Sequence, residues 1–170
     1  MYRFERICAE EAQLFRGRIL GLHDERVVEA WDTRSLHFGL FDEGLIIRAV
    51  RVTRADCSML PFTDFFRPRL THSKDCVEIG MLAVDPWYIA SEAAYDIRFG
   101  LIETLKSLRP MCREAYLCMM IESEQQAQEI EHSGFHPIHH IEEEQDGARV
   151  ILYRATIAAL HQALSRDQAA

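Results

Sequence analysis

The spacing of apolar residues changes around one nearly unbroken run, and the changes mark the elements of the chain. Cys76 to Val84 is almost entirely apolar, with a single carboxylate at Glu78. Apolar side chains on both faces predict a strand covered on both sides. Asp85-Pro86 stops it, because proline fixes φ and has no N–H to give a ladder. The period then lengthens. Ala90, Ala94, Ile97, Leu101, Leu105 and Leu108 recur every three or four residues, the stripe of a helix lying on a sheet. Ser91 is the predicted N-cap, Glu92 puts an acid in the first turn, and Arg109-Pro110 closes the helix. A strand running straight into a helix leaves main-chain N–H groups at the sheet edge, where an acyl carbonyl, a pantetheine arm or a phosphate can be received.

The same reading extends to both ends. Glu5 to Leu22 reads as a helix anchored by Ile7, Leu14, Ile19 and Leu22, with Arg16 and Arg18 on its other faces. Val27 to Trp31 reads as a second short helix ended by Asp32-Thr33. Ser35 to Phe41 alternates with Leu36, Phe38 and Leu40 on one face. Asp42-Glu43-Gly44 turns the chain and Leu45 to Thr53 returns as the second strand of a hairpin. Ala55 to Lys74 has no period, and its Phe62, Phe65 and Phe66 predict a long loop tethered to the core, with the alternative of a lid beside a site. Glu114 to Ile121 is a further strand. Ser123 caps a helix from Glu124 to His132 that ends at Gly134. Phe135 to Ile141 and Arg149 to Tyr153 form a hairpin around Asp146-Gly147, and Thr156 to Leu164 is a terminal helix. This order predicts a mixed α/β (α+β) layer protein in one domain over residues 1–170.

Composition narrows the classes. A chain of 170 residues with 48% hydrophobic content can build a real core. It has no run long enough to span a membrane and no signal-peptide core in MYRFERICAEEAQLF, so the cytoplasm is the expected location. Five widely spaced cysteines (Cys8, Cys57, Cys76, Cys112 and Cys118) without a C-x-x-C read as reduced thiols. A net charge of −8 argues against nucleic-acid binding. Arg48, Arg51, Arg54, Arg67, Arg69 and Lys74 nevertheless crowd the middle of the chain, as a solvated face or as a strip for an acidic partner or phosphate.

Two local patterns and their order resemble the GNAT superfamily of N-acyltransferases. LAVDPWY at Leu82 to Tyr88, leading into a long helix, is similar to the family's central strand and cofactor-binding helix. SEQQAQEIEHSGF at Ser123 to Phe135 is similar to its second helix. The resemblance implies a mostly antiparallel mixed sheet with helices on both faces. It also implies a thioester donor, acyl-CoA or phosphopantetheine-linked, gripped by Leu82, Ala83, Val84, Ala90, Ser91, Glu92, Ala93 and Ala94. The acceptor it implies is a small-molecule amine such as an amino acid. The chain departs from the family where an Arg/Gln-x-x-Gly-x-Gly/Ala phosphate loop is usual. No glycine stands there, and Glu92 repels a diphosphate. Ile130 replaces a usual tyrosine acid, leaving Tyr88, Tyr95 or a water for that role.

Trp31-Asp32, Ser35 and His37, a hairpin ending at Arg51, and Glu78 in EIGMLAV are similar to one branch, the autoinducer and N-acyl amino acid synthases, although Met81 replaces that branch's arginine. That branch takes acyl groups from acyl carrier protein, which presents a single phosphate and is an acidic partner for the basic strip. The resemblance implies Trp31, Asp32 and Arg51 as substrate-binding residues and is compatible with a homodimer.

Acyl transfer to an amine requires a base for the ammonium proton. Glu78 is the first choice, since a carboxylate in an apolar strand is expected to hold its proton more tightly; the alternative is an ion pair with an arginine. His37 is the second, because imidazole titrates near neutrality. Arg51 suits a substrate carboxylate through a bidentate contact. His132, His136, His139 and His140 straddle a turn and a strand without metal-ligand spacing, so no metal is expected. Cys118 reads as a small packed hydrophobe. A non-catalytic sensing module of the same fold is the alternative function, and a purely structural subunit a third.

Overall fold

The computed structural model describes residues 2–20, 31–55, 60–63, 75–88, 93–107, 112–121, 123–142 and 149–167. Among them the chain forms β1 (Arg3–Ile7), α1 (Ala9–Leu20), β2 (Leu36–Asp42), β3 (Leu45–Arg54), β4 (Cys76–Val84), α2 (Ala93–Ser107), β5 (Glu114–Ile121), α3 (Glu124–His132), β6 (His136–Glu142), β7 (Arg149–Thr156) and α4 (Ile157–Asp167). Short 3-10 turns occupy Asp32–Arg34 and Pro86–Tyr88. The strands hydrogen-bond in the order β1-β2-β3-β4-β5-β7-β6, and β1/β2, β2/β3, β5/β7 and β6/β7 all pair antiparallel. The class is mixed α/β with a mostly antiparallel sheet. The chain divides into two compact units, Met1–Thr53 with Ile79–Glu103, and Arg54–Glu78 with Thr104–Ala170, so β4 contributes to both.

In the first unit the N-terminal segment differs from the expected helix. Arg3–Ile7 is a strand with Phe4 opposite Leu40 and Ile7 opposite His37, and the helix begins at Ala9. Alternation explains this, because Phe4 and Ile7 fall on opposite faces and each has its own cover. Ile7 joins Ala12, Phe15, Ala49 and Ala83 in the core under α1. Phe4 stacks on Phe38 at 5.4 Å, and a Cβ added to Gly100 of α2 would lie 2.4 Å from the Phe4 ring. Helices α1 and α2 therefore cover opposite faces of these strands. The inward side of α1 is Ala12, Phe15, Arg16 and Ile19, whereas Leu14, expected as an anchor, is 77% exposed. The expected helix from Val27 lies mostly outside the described residues; its last member, Trp31, stands in a turn.

In the second unit β7 runs between β5 and β6, with Leu152 opposite both Cys118 and His139. The β7 strand continues to Thr156, three residues beyond the expected end, and α4 follows directly. Val150 and Leu152 share one core with Tyr116, Cys76, Ala55, Leu60 and Phe62. The α3 helix is capped as expected, the Ser123 hydroxyl accepting the Gln126 N–H at 3.2 Å. Gly134 follows with φ 95°, where any side chain would meet the Ala159 carbonyl at 3.0 Å. The expected turn at Asp146-Gly147 lies outside the described residues.

Candidate active site

Strand β4 carries the main candidate groups, and its character changes midway. It is buried from Cys76 to Ile79 and partly exposed from Gly80. Met81 has φ 51°, an uncommon, strained geometry for a residue with a side chain and one that bends a strand. Leu82 beyond it is 48% exposed while Ala83 is buried. The strand end stays fastened, since the Asp85 N–H donates to the Ile47 carbonyl at 2.9 Å. Asp85 then builds the turn. Its carbonyl accepts the Tyr88 N–H at 2.8 Å and its carboxylate accepts the Trp87 N–H at 3.1 Å. The buried Arg48 guanidinium donates to the Tyr88 carbonyl, and the Tyr88 phenol donates to Asp42 at 3.1 Å. That bond to Asp42 raises the Tyr88 pKa, so the phenol is a weaker stand-in for the acid replaced by Ile130. Leu82, Ala83 and Val84 thus precede a turn held by five hydrogen bonds.

In the second unit Glu78 is buried, 5% exposed. Its Oε2 accepts the main-chain N–H of Phe62 at 2.8 Å. Phe62 lies in a tight turn closed by the Thr63 N–H and Thr63 hydroxyl, both donating to the Leu60 carbonyl at 2.9 and 2.6 Å. The Glu78 charge also reaches two thiols. Burial, with Glu78 adding to it, pushes Cys118 up to about 12. Burial likewise pushes Cys76 up to about 12, with Cys112 the next contributor. Neither is a thiolate at neutral pH, so both behave as small apolar groups.

The remaining candidates gather in the first unit, at Asp32. Its side chain is fully buried and takes Arg16 of α1 at 2.6 Å and Arg51 of β3 at 3.2 Å. His37 of β2 lies beside it, with Nε2 3.0 Å from the Asp32 carbonyl oxygen. Burial, the largest influence, lowers the His37 pKa, so the ring is neutral at pH 7. A neutral ring donating from Nε2 leaves Nδ1 as a bare acceptor, and Nδ1 has no partner among the described residues. Arg16 is the member that sequence reasoning left on an outer face. The available signal was its spacing, since Arg16 stands four residues after Ala12 and three before Ile19, on the buried side of α1. Trp31 is half-buried with the Arg34 guanidinium 5.0 Å from its ring. Arg48 and Arg51, expected in a basic surface strip, are both buried because each is tied to a group inside its unit.

Ala90, Ser91 and Glu92 lie outside the described residues, as do Arg67, Arg69 and Lys74; Ala93 and Ala94 open α2. His132, His136 and His140 are exposed, and among the described residues no three His, Cys, Asp or Glu side chains are grouped to hold a metal ion. No helix among them is long and apolar enough to cross a membrane.

Compared with solved structures, the chain superposes over most of its length on known acyltransferases. The CoA-dependent acyl-homoserine lactone synthase MesI matches with a TM-score of 0.67 at 17% identity, covering 95% of this chain and 93% of that one. The IAA acetyltransferase from Bacillus cereus ATCC 14579 matches with a TM-score of 0.64 at 15% identity, over 92% and 99%. An acetyltransferase of the GNAT family from Streptococcus pneumoniae gives 0.62 at 10%, again over 92% and 99%. No protein-family model and no curated protein matches the sequence. At these identities the likeness establishes the fold, and the fold is that of the GNAT acyltransferases.

Proposed function

We propose that the chain is an N-acyltransferase that moves an acyl group from a thioester donor to the amine of a small molecule. The observation that carries this reading is Glu78: a carboxylate buried on β4 of a GNAT fold, with one oxygen fixed by the Phe62 N–H. In the reaction, the amine nitrogen attacks the thioester carbonyl carbon, the C–N bond forms and the C–S bond breaks. The ammonium proton passes to the Glu78 carboxylate, directly or through a water, and the sulfur leaves as a thiolate that takes a proton from solvent. Fixing one carboxylate oxygen orients the other and saves reorganisation in the transition state.

Main-chain groups of Leu82 to Val84 hold the donor's arm next to the bend at Met81, and the start of α2 at Ala93 and Ala94 receives its phosphate. Coenzyme A is the favoured donor. MesI, of the same fold, is CoA-dependent, and burial of Arg48 and Arg51 removes two cations from the strip that suited an acidic carrier protein. Glu78 is preferred to His37 because the latter's neighbours hold it inside an ionic cluster. Asp32 and Arg51 bind each other there, and their role is to order the hairpin of the first unit.

The test is incubation with acetyl-CoA, long-chain acyl-CoA and acyl carrier protein against a panel of amines, following thiol release. Release from a CoA thioester supports this reading, and release from the carrier protein alone supports the synthase branch with its protein donor. One observation favours a second reading, a binding module without turnover: the bond from Phe62 to Glu78 is also what a structural latch makes. That reading predicts no thiol release above background from any donor.

A further inference from the structure

Among the described residues, the most exposed large apolar side chain stands on the turn that follows β4. Trp87 is 92% exposed, although the turn that bears it is firmly held. Its N–H is fixed by the Asp85 carboxylate, and the next residue, Tyr88, is tied to Asp42 and Arg48. The same bonds set the turn against the tip of the β2/β3 hairpin. Asp85 bonds Ile47, Tyr88 bonds Asp42, and Asp42 stands opposite Leu45 in the last rung. Leu45 is 65% exposed, so one end of the first unit presents an indole and an isobutyl group to water, with exposed Pro86 beside the indole. Single exposed apolar residues are ordinary, whereas two large ones on adjoining turns make a patch of the kind that partners cover. Tryptophan is the commonest anchor of such contacts.

The charge around the patch says what covers it. Arg48 is buried beneath the turn, so the charged side chains that reach the surface there are Asp42, Glu43, Asp85 and Arg18. Arg18 is spent on Asp85 at 3.6 Å and on the Ile46 carbonyl at 3.2 Å. Arg3, over the Phe41 ring, is paired with Glu5 at 3.0 Å. The Tyr88 phenol beside Trp87 registers the balance, since its bond to Asp42 and the charges of Asp42 and Asp85 raise its pKa. We propose that this end of the first unit docks a basic segment of another protein, an arginine or lysine seated over the Trp87 ring and against Glu43 while an apolar neighbour covers Leu45. A second copy of the chain brings the same carboxylates to the contact, in a protein of net charge −8. An anionic membrane or an acidic carrier protein meets the same repulsion. The surface is independent of Glu78 and of acyl transfer.

The probe is the peptide Leu-Arg-Arg-Leu-Arg-Arg-Leu, set against a counterpart with glutamate at every arginine. Binding to the full chain is followed by tryptophan emission and by calorimetry. The variants are Trp87→Ala, which leaves Trp31 as the sole indole, Glu43→Lys, and Glu131→Lys on exposed α3 of the second unit, each checked by thermal melting. Glu131→Lys changes the net charge as much as Glu43→Lys does and so controls for bulk attraction. The basic peptide is expected to bind wild type and shift its emission, and the acidic one is not. Trp87→Ala and Glu43→Lys are each expected to weaken binding by roughly tenfold, the scale of one cation–π contact, while Glu131→Lys has little effect. No binding of the basic peptide, equal binding of the acidic one, or equal losses from Glu43→Lys and Glu131→Lys overturns the proposal. Self-association of wild type that Trp87→Ala abolishes also overturns it, in favour of a second copy.

Discussion

Asp32 is the residue on which the first unit turns. Two guanidinium groups, from α1 and β3, converge on a fully buried carboxylate, so removing it strands buried positive charge. Asp32→Ala is expected to cost about 3–5 kcal/mol, read by urea denaturation, because breaking a buried pair leaves the desolvation penalty uncompensated. His37 beside it gives the fold a pH dependence with a definite sign. Burial lowers its folded pKa while the unfolded ring titrates near 6.5, so below that value the unfolded state binds the proton and the folded state does not. The stability His37 contributes is complete above about pH 6.5 and is lost as pH falls from there through the lowered folded value. Arg16 and Arg51 oppose the added proton while Asp32 favours it, and Glu10 is the other acid in electrostatic reach. His37→Gln is expected to flatten the melting temperature between pH 7 and pH 5 relative to wild type. Thiol chemistry separates residues in the same way. Alkylation at pH 8 followed by mass spectrometry is expected to label exposed Cys8 and to spare Cys76 and Cys118 until the protein unfolds. At this scale the sequence placed Glu78 on a strand covered on both sides and His37 on a hairpin strand, and the structure buries both. The sequence did not reveal Arg16 turned inward or the Phe62 N–H on Glu78, because both depend on partners far along the chain and leave no periodic trace.

Elements were legible wherever one face repeats and less so where the two faces differ. The β2/β3 hairpin, β4, β5 and α3 fall where alternation and caps place them. Five residues of β1 were absorbed into a helix, since a short edge strand carries too few alternations to outweigh the helical period that follows. Its docking against α2 is what the sequence could not show, and Gly100 records it. On propensity alone Gly100→Ala should stabilise a helix by roughly 1 kcal/mol. The Phe4 ring 2.4 Å from the new Cβ reverses the sign, and a net loss of about 1–3 kcal/mol is expected from overpacking. Combining Gly100→Ala with Phe4→Ala is expected to recover part of that loss. Equal effects of Gly100→Ala with and without Phe4 would contradict this packing.

At the scale of the molecule, the order of elements together with the patterns at Leu82 to Tyr88 and Ser123 to Phe135 indicated a GNAT fold, and the comparison with solved acyltransferases bears that out at the level of the fold. Chemistry is less legible than architecture because the fold sets where a strand ends, whereas the donor and acceptor are set by a few side chains on loops. Here those side chains depart from the usual pattern, with Ile130 in place of a tyrosine and no glycine from Ile89 to Ala94. What remains is one carboxylate, and the account stands on it. The most direct measurement is thiol release from acetyl-CoA by wild type and Glu78→Gln, with donor binding measured alongside. The account predicts turnover by wild type, a loss of about 10²–10⁴-fold in kcat for Glu78→Gln, and unchanged donor affinity, because the amide keeps the acceptor oxygen for the Phe62 N–H but takes no proton. Equal turnover by the two proteins, or none by wild type, would contradict it.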